Sequence, residues 1–427
     1  MEAVPRVAID GGGLSGCIAA LVLRSRGNVK PVILDAGRRS PGGRLLGGRH
    51  ADSGVQFMRA TEPKFAAIIH MLAKENLVAP WRGRFGLLGS QGGGFLPHDV
   101  LAGSPIGSMM KANENNEAGS VDFCGLLGGD ADQYPVYVGT PSNSHILHGL
   151  CEAAGIEVVL GAKVTSAVCS ENGKWTLDAG DQPPFDALLL ATHDAALGAA
   201  TVRSTILPSV TDDADATSRL SALADALQAQ RDERTSAVFT WSGYFPCGFS
   251  EALPFDAATV PGSRIVHFLA RDASKPGREP LVPVPSEDGA GAVGELWTAV
   301  STPAFAKEML AAESLKRGES GDSDKGGGTA SAAADAMANE ISSVLAHFFA
   351  EGGGAPPRPL HAAAKRWGAG FAAGTLGLKE DCVSLEPWRL AIAGDFLADR
   401  ASPVEAAALS GMEAGERIAK WFPTSKL

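Results

Sequence analysis

Short apolar runs alternating with glycine-rich turns mark the first forty residues of the chain. Residues 7–9 form an apolar run that ends in Asp10, and residues 32–34 form a second run that ends in Asp35. Short apolar runs bounded by turn residues are typical of strands buried in a parallel sheet. Residues 17–26, between the two runs, suit a helix. This order predicts a strand, a helix and a second strand that form one βαβ unit.

The same pattern analysis predicts further elements along the chain. Helical spacing of apolar residues predicts helices over 63–76, 141–154, 214–230 and 403–421. Strands are predicted over 157–160, 162–169, 175–178, 187–191, 236–241, 264–270, 294–301 and 389–393. The run at 187–191 is apolar throughout, so we expect it to be a buried parallel strand that returns to the first sheet. Residues 83–129 are rich in loop-forming residues, which favours hairpins and surface loops there.

These elements predict an α/β protein of two domains, because a chain of 427 residues exceeds the size that one hydrophobic core usually serves. The first is a discontinuous Rossmann-like domain, and the second is an α+β substrate domain on a mainly antiparallel sheet. The first domain is predicted to take residues 1–60, 150–195 and 380–427, and the second to take residues 61–149 and 196–379. Residues 311–334 are polar and rich in Gly, Ser and Ala, which predicts a flexible insertion in the second domain.

The net charge and the cysteine pattern limit the kinds of binding partner and the cellular compartment that we expect for this protein. The 37 basic and 48 acidic residues give a net charge of −11 without a long basic run, which disfavours nucleic acid and anionic membranes as partners. The six cysteines form no Cys-x-x-Cys pair, which favours a reducing compartment. No run of eighteen apolar residues occurs, and the first strand leaves no room for a signal segment. We therefore expect a cytoplasmic protein that acts on a small molecule.

The turn after the first strand has the Gly-x-Gly-x-x-Gly pattern of a dinucleotide site. Gly11 permits a sharp turn, Gly13 permits close approach to a diphosphate, and Gly16 permits close packing of the helix on the sheet. The N–H groups at the start of the helix then face the phosphates. Asp35 lies nineteen residues after Gly16, which suits a hydrogen bond to the ribose 2′-hydroxyl of an adenosine.

Two further segments indicate that the dinucleotide is a flavin. The loop at 37–44 is rich in Gly and Pro and too long for a tight βα connection, and Arg44, presented from a Gly-Gly turn, suits a diphosphate. Gly54 permits the backbone to pass against a flat ring, and Gln56 follows close to it.

The other end of the chain predicts the second half of this site. The apolar run at 389–393 ends in Gly394 and Asp395, and Asp395 suits the ribityl or diphosphate region of FAD. Ser402 is a favourable N-cap, Pro403 occupies the first helical position, and Glu405 completes a capping box. The positive end of this helix is expected under the pyrimidine edge of the flavin. The predicted FAD-binding residues are Gly11, Gly13, Leu14, Ser15, Gly16, Asp35, Ala36, Gly43, Arg44, Gly54, Val55, Gln56, Val164, Gly394, Asp395 and Val404.

With these motifs in place, the chain resembles the renalase-like branch of the flavin amine oxidase superfamily, and its plant and algal members most. The segments that carry the resemblance are 11–16, 42–44 (GGR), 52–57 (DSGVQF), 137–141 (YVGTP), 271–278 (RDASKPGR), 297–298 (WT), 365–367 (KRW), 394–395 (GD) and 409–412 (LSGM). The resemblance implies non-covalent FAD, hydride removal from a dihydropyridine-type nucleotide such as an isomer of NAD(P)H, and reoxidation by O2 to give hydrogen peroxide. Lys365 replaces a histidine that is common among relatives, and residues 311–334 are not a feature of the branch.

Hydride transfer to a flavin needs a clamp for a planar donor and no acid–base pair. Gln56 is the predicted group near the ring, Trp367 and Trp297 are candidate aromatic walls, and Arg366 is a candidate partner for an anionic substrate. His145 and His148 stand three apart on a predicted helix but have no third ligand nearby, so no metal is expected. Two alternatives remain open, a flavin-dependent oxidase of amines or polyamines and a scaffold that binds FAD without turnover.

Overall fold

The computed structural model describes residues 4–47, 51–89, 94–101, 135–285, 291–319, 327–350, 354–372, 374–400 and 402–422. In these ranges the α-helices are α1 (Leu14–Arg26), α2 (Pro63–Lys74), α3 (His98–Leu101), α4 (Asn143–Ala153), α5 (Ala195–Thr201), α6 (Ala214–Glu233), α7 (Pro303–Glu319), α8 (Gly327–Ala350) and α9 (Pro403–Lys420). The strands are β1 (Arg6–Asp10), β2 (Lys30–Asp35), β3 (Met58–Arg59), β4 (Val78–Pro80), β5 (Phe85–Leu88), β6 (Phe95–Pro97), β7 (Val136–Gly139), β8 (Glu157–Leu160), β9 (Ala167–Cys169), β10 (Trp175–Leu177), β11 (Ala187–Leu190), β12 (Thr235–Phe245), β13 (Ala257–Thr259), β14 (Val266–Arg271), β15 (Val282–Pro283), β16 (Val293–Ser301), β17 (His361–Ala372), β18 (Cys382–Leu385) and β19 (Leu390–Ala393).

A six-stranded sheet collects segments from both ends of the chain. Its order is β18-β19-β11-β1-β2-β8, and every neighbouring pair is parallel except β18 and β19. Val7 pairs with Ala187, which confirms that the run at 187–191 returns to the first sheet. Apolar clusters cover both faces of this sheet, which explains the uninterrupted apolar runs of its strands.

Helices α1 and α9, from opposite ends of the chain, pack closely against each other on one face of this sheet. Glycines make the approach possible. A Cβ on Gly411 would lie 2.1 Å from the carbonyl oxygen of Ser15, and a Cβ on Gly415 would lie 2.9 Å from that of Ala19. Any larger residue would push the helices apart. The two ends of the chain therefore meet on this face of the sheet.

A second sheet has the order β17-β12-β16-β14-β13-β5-β6, with β15 paired to β16. Its neighbouring strands are antiparallel apart from β13 and β5. One face packs on α7 and α8 around an aromatic core, and the other packs against residues of the three-stranded sheet β3-β7-β4. The predicted fold class, a parallel-sheet α/β unit with an α+β unit on a mainly antiparallel sheet, is confirmed.

Strand β17 is the longest strand that the sequence pattern does not predict. Its twelve residues are rich in Ala and Gly, which have a low preference for strands. Pairing with β12 along most of its length holds it in place, with one register shift between Ser236 and Val238. The strand depends on tertiary pairing, which a local pattern does not report.

The flexible insertion predicted at 311–334 is wrong at both of its ends. Residues 311–319 complete α7, and residues 327–334 begin α8. Ala333 and Ala334 are buried in the aromatic core of the antiparallel sheet. The prediction assumed that this segment has too little apolar surface to become ordered. Alanine is a strong helix former, and a helix can pack by burying small alanine side chains. Residues 320–326 lie outside the described ranges.

Two other predictions concern loop regions. The strand predicted over 162–169 shortens to β9, because Asp178 Oδ1 accepts hydrogen bonds from the N–H groups of Thr165 and Ser166. Residues 90–93 and 102–134 lie outside the described ranges, and they include most of the loop-rich region predicted at 83–129.

Candidate cofactor and substrate site

The turn between β1 and α1 forms an open cradle, here called the glycine cradle (residues 11–16). Gly11 has a φ of +107°, and a Cβ on Gly16 would lie 2.0 Å from the Gly11 carbonyl oxygen, so both positions require glycine. A Cβ on Gly13 would meet no atom within 4 Å. Gly13 precedes α1 without a side-chain cap, and the first turn of α1 has no acidic residue. The cradle therefore offers unsatisfied N–H groups to an anion. Leu14 and Ser15 are buried where the helix begins.

Asp35 lies beside the cradle at the end of β2. Its Oδ2 accepts a hydrogen bond from Gly12 N–H at 2.7 Å, and its Oδ1 accepts one from Gly37 N–H at 2.7 Å. The segment that contains Val164 crosses next to it, because the Asp35 carbonyl oxygen accepts from the N–H of Ala162 at 2.9 Å. Val164 is buried, and Ala36 is exposed. The structure thus brings together three of the predicted nucleotide-binding residues, and their contact with a ribose or an adenine stays a prediction.

Arg44 and Asp395 join the two ends of the chain through a double hydrogen bond. Nη2 of Arg44 lies 2.6 Å from Oδ1 of Asp395, and Nη1 lies 2.8 Å from Oδ2. Burial lowers the pKa of Arg44, but the neighbouring Asp395 carboxylate raises it, and the net pKa lies above the ordinary value. Gly43, with a φ of +51°, lets the loop approach Gly13. The N–H of Gly394 donates to a serine of α9. A charged pair therefore lies between the glycine cradle and the carboxyl-terminal helix.

A close backbone crossing lies next to this charged pair. A Cβ on Gly54 would lie 1.9 Å from the Arg44 carbonyl oxygen and 3.2 Å from Cζ2 of Trp367, so no other residue fits. The N–H of Val55 donates to the same Arg44 carbonyl at 2.8 Å. Nε1 of Trp367 donates to the carbonyl oxygen of Ser53. Residues 53–55 are thereby held between Arg44 and the Trp367 ring.

Gln56 lies beside this crossing, but its amide faces into the protein. Its Nε2 donates to the carbonyl oxygens of Asp52 and Gly54, and its Oε1 accepts from the Thr298 hydroxyl at 2.9 Å. The residue is 5% exposed. The amide is engaged within the protein and holds the segment in place, and a contact of Gln56 with the ring or the substrate stays a prediction.

The other predicted substrate contacts do not share a wall with Trp367. Arg366 is exposed on the opposite face of β17, because neighbouring side chains alternate across a strand. Trp297 is completely buried and packs edge-on against Phe249 and Phe255. The prediction that Trp297 forms an aromatic wall is wrong, because the ring belongs to the core between the antiparallel sheet and its helices.

A buried ion network anchors the crossing from the antiparallel sheet. Nζ of Lys275 lies 3.1 Å from Oδ2 of Asp52 and 3.5 Å from Oδ1 of Asp272, and Nη2 of Arg278 lies 2.7 Å from Oδ2 of Asp52. Asp52 also accepts from the N–H of Asn143 at 3.0 Å. Burial raises the pKa of Asp272, and the two cations oppose this. The charges of the two cations, Lys275 and Arg278, balance those of the two carboxylates, Asp52 and Asp272. Through Asp52, segment 271–278 holds the neighbouring segment that contains Gly54 in place.

The start of α9 is capped as predicted at Ser402, whose hydroxyl accepts from the N–H of Glu405 at 3.4 Å. The predicted return bond of the capping box is wrong. The Glu405 carboxylate binds the N–H and hydroxyl of Thr61, each at 2.7 Å, and the N–H of Glu62 at 2.9 Å. Val404 is half-buried beside it. Glu405 thus connects α9 to the residues that begin α2. Its carboxylate accepts three hydrogen bonds from Thr61 and Glu62, so it does not fold back to the N-terminus of its own helix.

Asp10 is a buried acid directly before the glycine cradle. It is 3% exposed, and within the described residues its Oδ2 has no hydrogen-bond partner. Burial raises its pKa to about 7, with further contributions from the carboxylates of Asp35, Asp178 and Asp194. At neutral pH a large share of Asp10 is therefore protonated.

Two residues outside the predicted site, His193 and Lys365, lie close to it. His193 follows β11, and its pKa is lowered by burial and by the nearby Arg44 cation. Lys365 extends from the same face of β17 as Trp367, with Nζ 3.9 Å from the centroid of that ring and 3.4 Å from the Ser53 hydroxyl. Burial lowers the pKa of Lys365. In the sequence, the lysine at 365 in place of histidine is the feature that could have indicated a role for this residue. The direction of its side chain follows from the pairing of β17 with β12.

The described part of the chain has neither a metal-binding cluster nor a membrane-spanning helix. The described residues hold no group of three or more His, Cys, Asp or Glu side chains with metal-binding geometry. His145 instead shares a hydrogen bond of 2.7 Å with the Ser142 hydroxyl. Among the described helices, none combines the length and apolar content needed to cross a bilayer.

Several solved structures share this fold along nearly the whole chain. An oxidoreductase from Methanosarcina mazei is 13% identical, with 96% of this chain and 100% of that chain covered and a TM-score of 0.59. Cyclohexylamine oxidase from Brevibacterium oxydans IH-35A is 13% identical, with 98% and 99% covered and a TM-score of 0.60. A putrescine oxidase bound to putrescine is 13% identical, with 97% and 99% covered and a TM-score of 0.55. Neither a protein-family model nor a curated protein sequence matches the chain. At these identities the likeness establishes the fold.

Proposed function

We propose that this protein binds FAD non-covalently and acts as an FAD-dependent oxidoreductase. The observation that carries the proposal is the meeting of the glycine cradle, the Arg44–Asp395 pair and α9 at one place, although they come from opposite ends of the chain. Solved structures that share the fold include cyclohexylamine oxidase and putrescine oxidase, which supports oxidoreductase chemistry.

The residues present fit an FAD diphosphate and ribose. The open space in front of Gly13 and the uncapped start of α1 suit the diphosphate. Arg44 supplies a planar cation with several donors for the same group. Asp395 would accept from a ribityl hydroxyl, and Asp35 from a ribose hydroxyl.

The chemistry that bound FAD would supply is acceptance of a hydride from a reduced donor, with reoxidation by O2 to give hydrogen peroxide. The chain's own part is to hold a planar donor and exclude water. Trp367 provides an aromatic face at the crossing, and Gln56 and the Lys275 network hold the backbone at Gly54 in place. No acid or base side chain is needed for this step.

We propose a dihydronicotinamide-type nucleotide as the donor. The resemblance to the renalase-like branch supports this class, and so does the charge at the aromatic face. The Lys365 ammonium already lies over the Trp367 ring, 3.9 Å from its centroid. A cation in this position favours a donor with negative phosphates over a protonated amine.

A flavin-dependent oxidase of primary amines or polyamines is the second candidate. The likeness to cyclohexylamine oxidase and putrescine oxidase supports it. A scaffold that keeps FAD without turnover is the third reading, and the predicted cytoplasmic location stays a prediction for all three.

Anaerobic rapid mixing separates these candidates. The FAD-loaded protein is mixed with 2-, 4- and 6-dihydro isomers of NAD(P)H and, separately, with putrescine and cyclohexylamine, while the flavin absorbance is followed. The proposal expects fast bleaching with at least one dihydronicotinamide isomer and recovery of the colour, with hydrogen peroxide, when O2 is admitted. Bleaching by amines alone would favour the second candidate, and colour that persists with every donor would favour the scaffold. A protein that binds no FAD would contradict all three.

A further inference from the structure

Cys17 and Cys151 form a buried thiol pair behind the glycine cradle. Their sulfur atoms lie 3.7 Å apart, although 134 positions separate the residues. The two residues are 0% and 3% exposed. Cys17 lies in the first turns of α1 and Cys151 near the end of α4. The Cys17 sulfur also lies 3.5 Å from the carbonyl oxygen of Gly12, so the pair touches the cradle itself.

The other described cysteines differ from this pair. Cys382 is buried, Cys169 is partly exposed and Cys247 is exposed. In the described part of the chain, Cys17 and Cys151 are the cysteines whose sulfur atoms contact each other. Neither thiol has a role in the proposed hydride transfer. The pair is therefore a chemical feature that the proposed function leaves unused.

The surroundings give the two thiols different acidities. The hydrogen bond with Cys17 lowers the pKa of Cys151. The same hydrogen bond, together with burial, raises the pKa of Cys17. Cys151 is thus the thiol that ionises more easily, and the thiolate is the nucleophilic form of cysteine. Cys17, already in contact with it, is placed to act as the second, resolving thiol.

We propose that Cys17 and Cys151 are a peroxide-sensitive site that closes to a reversible disulfide. The Cys151 thiolate attacks one oxygen of hydrogen peroxide, so that an S–O bond forms and the O–O bond breaks. The hydroxide that leaves takes the proton of Cys17 and becomes water. The Cys17 sulfur then attacks the Cys151 sulfur, the S–S bond forms, and the S–O bond breaks. The second hydroxide takes up the proton that Cys151 had released. Two thiols are oxidised, and one peroxide is reduced to two waters.

The geometry allows this closure with a small movement. A disulfide is about 2.05 Å long, so the two sulfur atoms must approach by about 1.7 Å. The new bond ties α1 to α4 directly behind the diphosphate cradle. Hydrogen peroxide is also the product of the proposed oxidase, but the site reacts with peroxide from any source. The inference therefore stands or fails independently of the proposed function.

The test uses the full-length folded protein and added hydrogen peroxide. After exposure, free thiols are blocked by alkylation in denaturant, the protein is digested without reduction, and the peptides are identified by mass spectrometry. The expected result is a linked peptide pair that contains Cys17 and Cys151, with a mass lower by two hydrogens. Treatment with dithiothreitol should restore both alkylatable thiols.

Two variants make the result specific. Cys17→Ser should abolish the linked pair and leave Cys151 as a sulfenic acid that a dimedone reagent labels. Cys382→Ser, a matched change at a buried cysteine outside the pair, should leave the linked pair unchanged. If Cys17→Ser does not fold, the measurement on the unmodified protein alone decides. The proposal is overturned if exposed Cys247 is oxidised while Cys17 and Cys151 both remain free and unlinked.

Discussion

The two sheets approach the candidate site with different kinds of group. The parallel-sheet region contributes mainly backbone, namely the glycine cradle and the N–H groups that begin α1. The antiparallel-sheet region contributes side chains, chiefly Trp367 and Lys365 on one face of β17. A diphosphate that is held by backbone depends on glycine at fixed spacing, whereas a donor that is held by side chains depends on which face of a strand they occupy. Under the proposed function, this difference separates the groups expected to bind FAD from those expected to select the donor.

Within the parallel-sheet region, two glycines of one motif should fail in different ways. Gly13→Val places its side chain in open space, so we expect a folded protein whose affinity for FAD falls about 1000-fold because the diphosphate is blocked. Gly16→Val places its Cβ 2.0 Å from the Gly11 carbonyl oxygen and should instead impair folding. Isothermal titration with FAD and thermal unfolding measure the two effects. Equal FAD binding by Gly13→Val and the unmodified protein would contradict this assignment.

The charged pair should matter for both cofactor and stability. Arg44→Ala removes a diphosphate partner and leaves Asp395, whose side chain is 3% exposed, as an uncompensated buried charge. We expect a loss of about 3 kcal/mol in the free energy of unfolding and a roughly 100-fold weaker affinity for FAD. The double variant Arg44→Ala, Asp395→Asn should recover most of the stability but not the affinity. Recovery of both would show that the pair is only structural.

Asp10 should make the parallel-sheet region less stable as pH rises. Below pH 3.8 the folded and unfolded chains both hold the proton, so Asp10 contributes nothing. Between pH 3.8 and about 7 only the folded chain keeps it, so stability falls across this window and stays low above it. Asp10→Asn should therefore raise the free energy of unfolding by about 4 kcal/mol at pH 8 and by almost nothing near pH 3.5. Urea titrations at the two pH values measure this, and an equal effect at both would be the contrary result.

His267 should give the antiparallel-sheet region the opposite response. Burial lowers the pKa of His267 from 6.5 to about 3, so the unfolded chain takes up a proton below pH 6.5 and the folded chain does not. Stability that is present above pH 6.5 is lost as pH falls towards 3. Replacement by Gln should reduce the loss between pH 7 and pH 5 by about 1.5 kcal/mol. Urea titrations of both proteins at these pH values provide the check, and an unchanged acid sensitivity would count against the assignment.

The smallest expected effects distinguish the two faces of β17. Trp367→Phe keeps an aromatic face but removes the Nε1 bond to the Ser53 carbonyl, so we expect the KM for the donor to rise about fivefold, which corresponds to about 1 kcal/mol. Arg366→Ala, on the opposite face, should change it less than about twofold. Steady-state kinetics with the donor found by rapid mixing provide the measurement. A larger change in KM for Arg366→Ala than for Trp367→Phe would contradict the assignment of the Trp367 face to the donor.

The sequence predicts the proposed cofactor half of the site better than the proposed donor half for a physical reason. The requirement for glycine at 11 and 16 is a local backbone property, so spacing alone reports it. The positions of Lys365 and Trp367 depend on the pairing of an Ala- and Gly-rich strand with β12, which no local pattern shows.

Contacts between residues that are far apart in the sequence account for features of the site that the motifs did not predict. The link between Lys275 and Asp52 joins residues 223 positions apart, and the link between Thr61 and Glu405 joins residues 344 positions apart. A motif indicates that such residues matter but not which partner they find. Trp297 shows the converse, because an aromatic residue near a motif can belong entirely to the core.

Titration of the apoprotein with FAD tests the central claim most directly, namely that both ends of the chain close on one cofactor. The account predicts one FAD per chain, with the affinity strongly reduced by Gly13→Val at one end and by Asp395→Ala at the other. A chain that binds no FAD, or one whose affinity for FAD is unchanged by both substitutions, would contradict it.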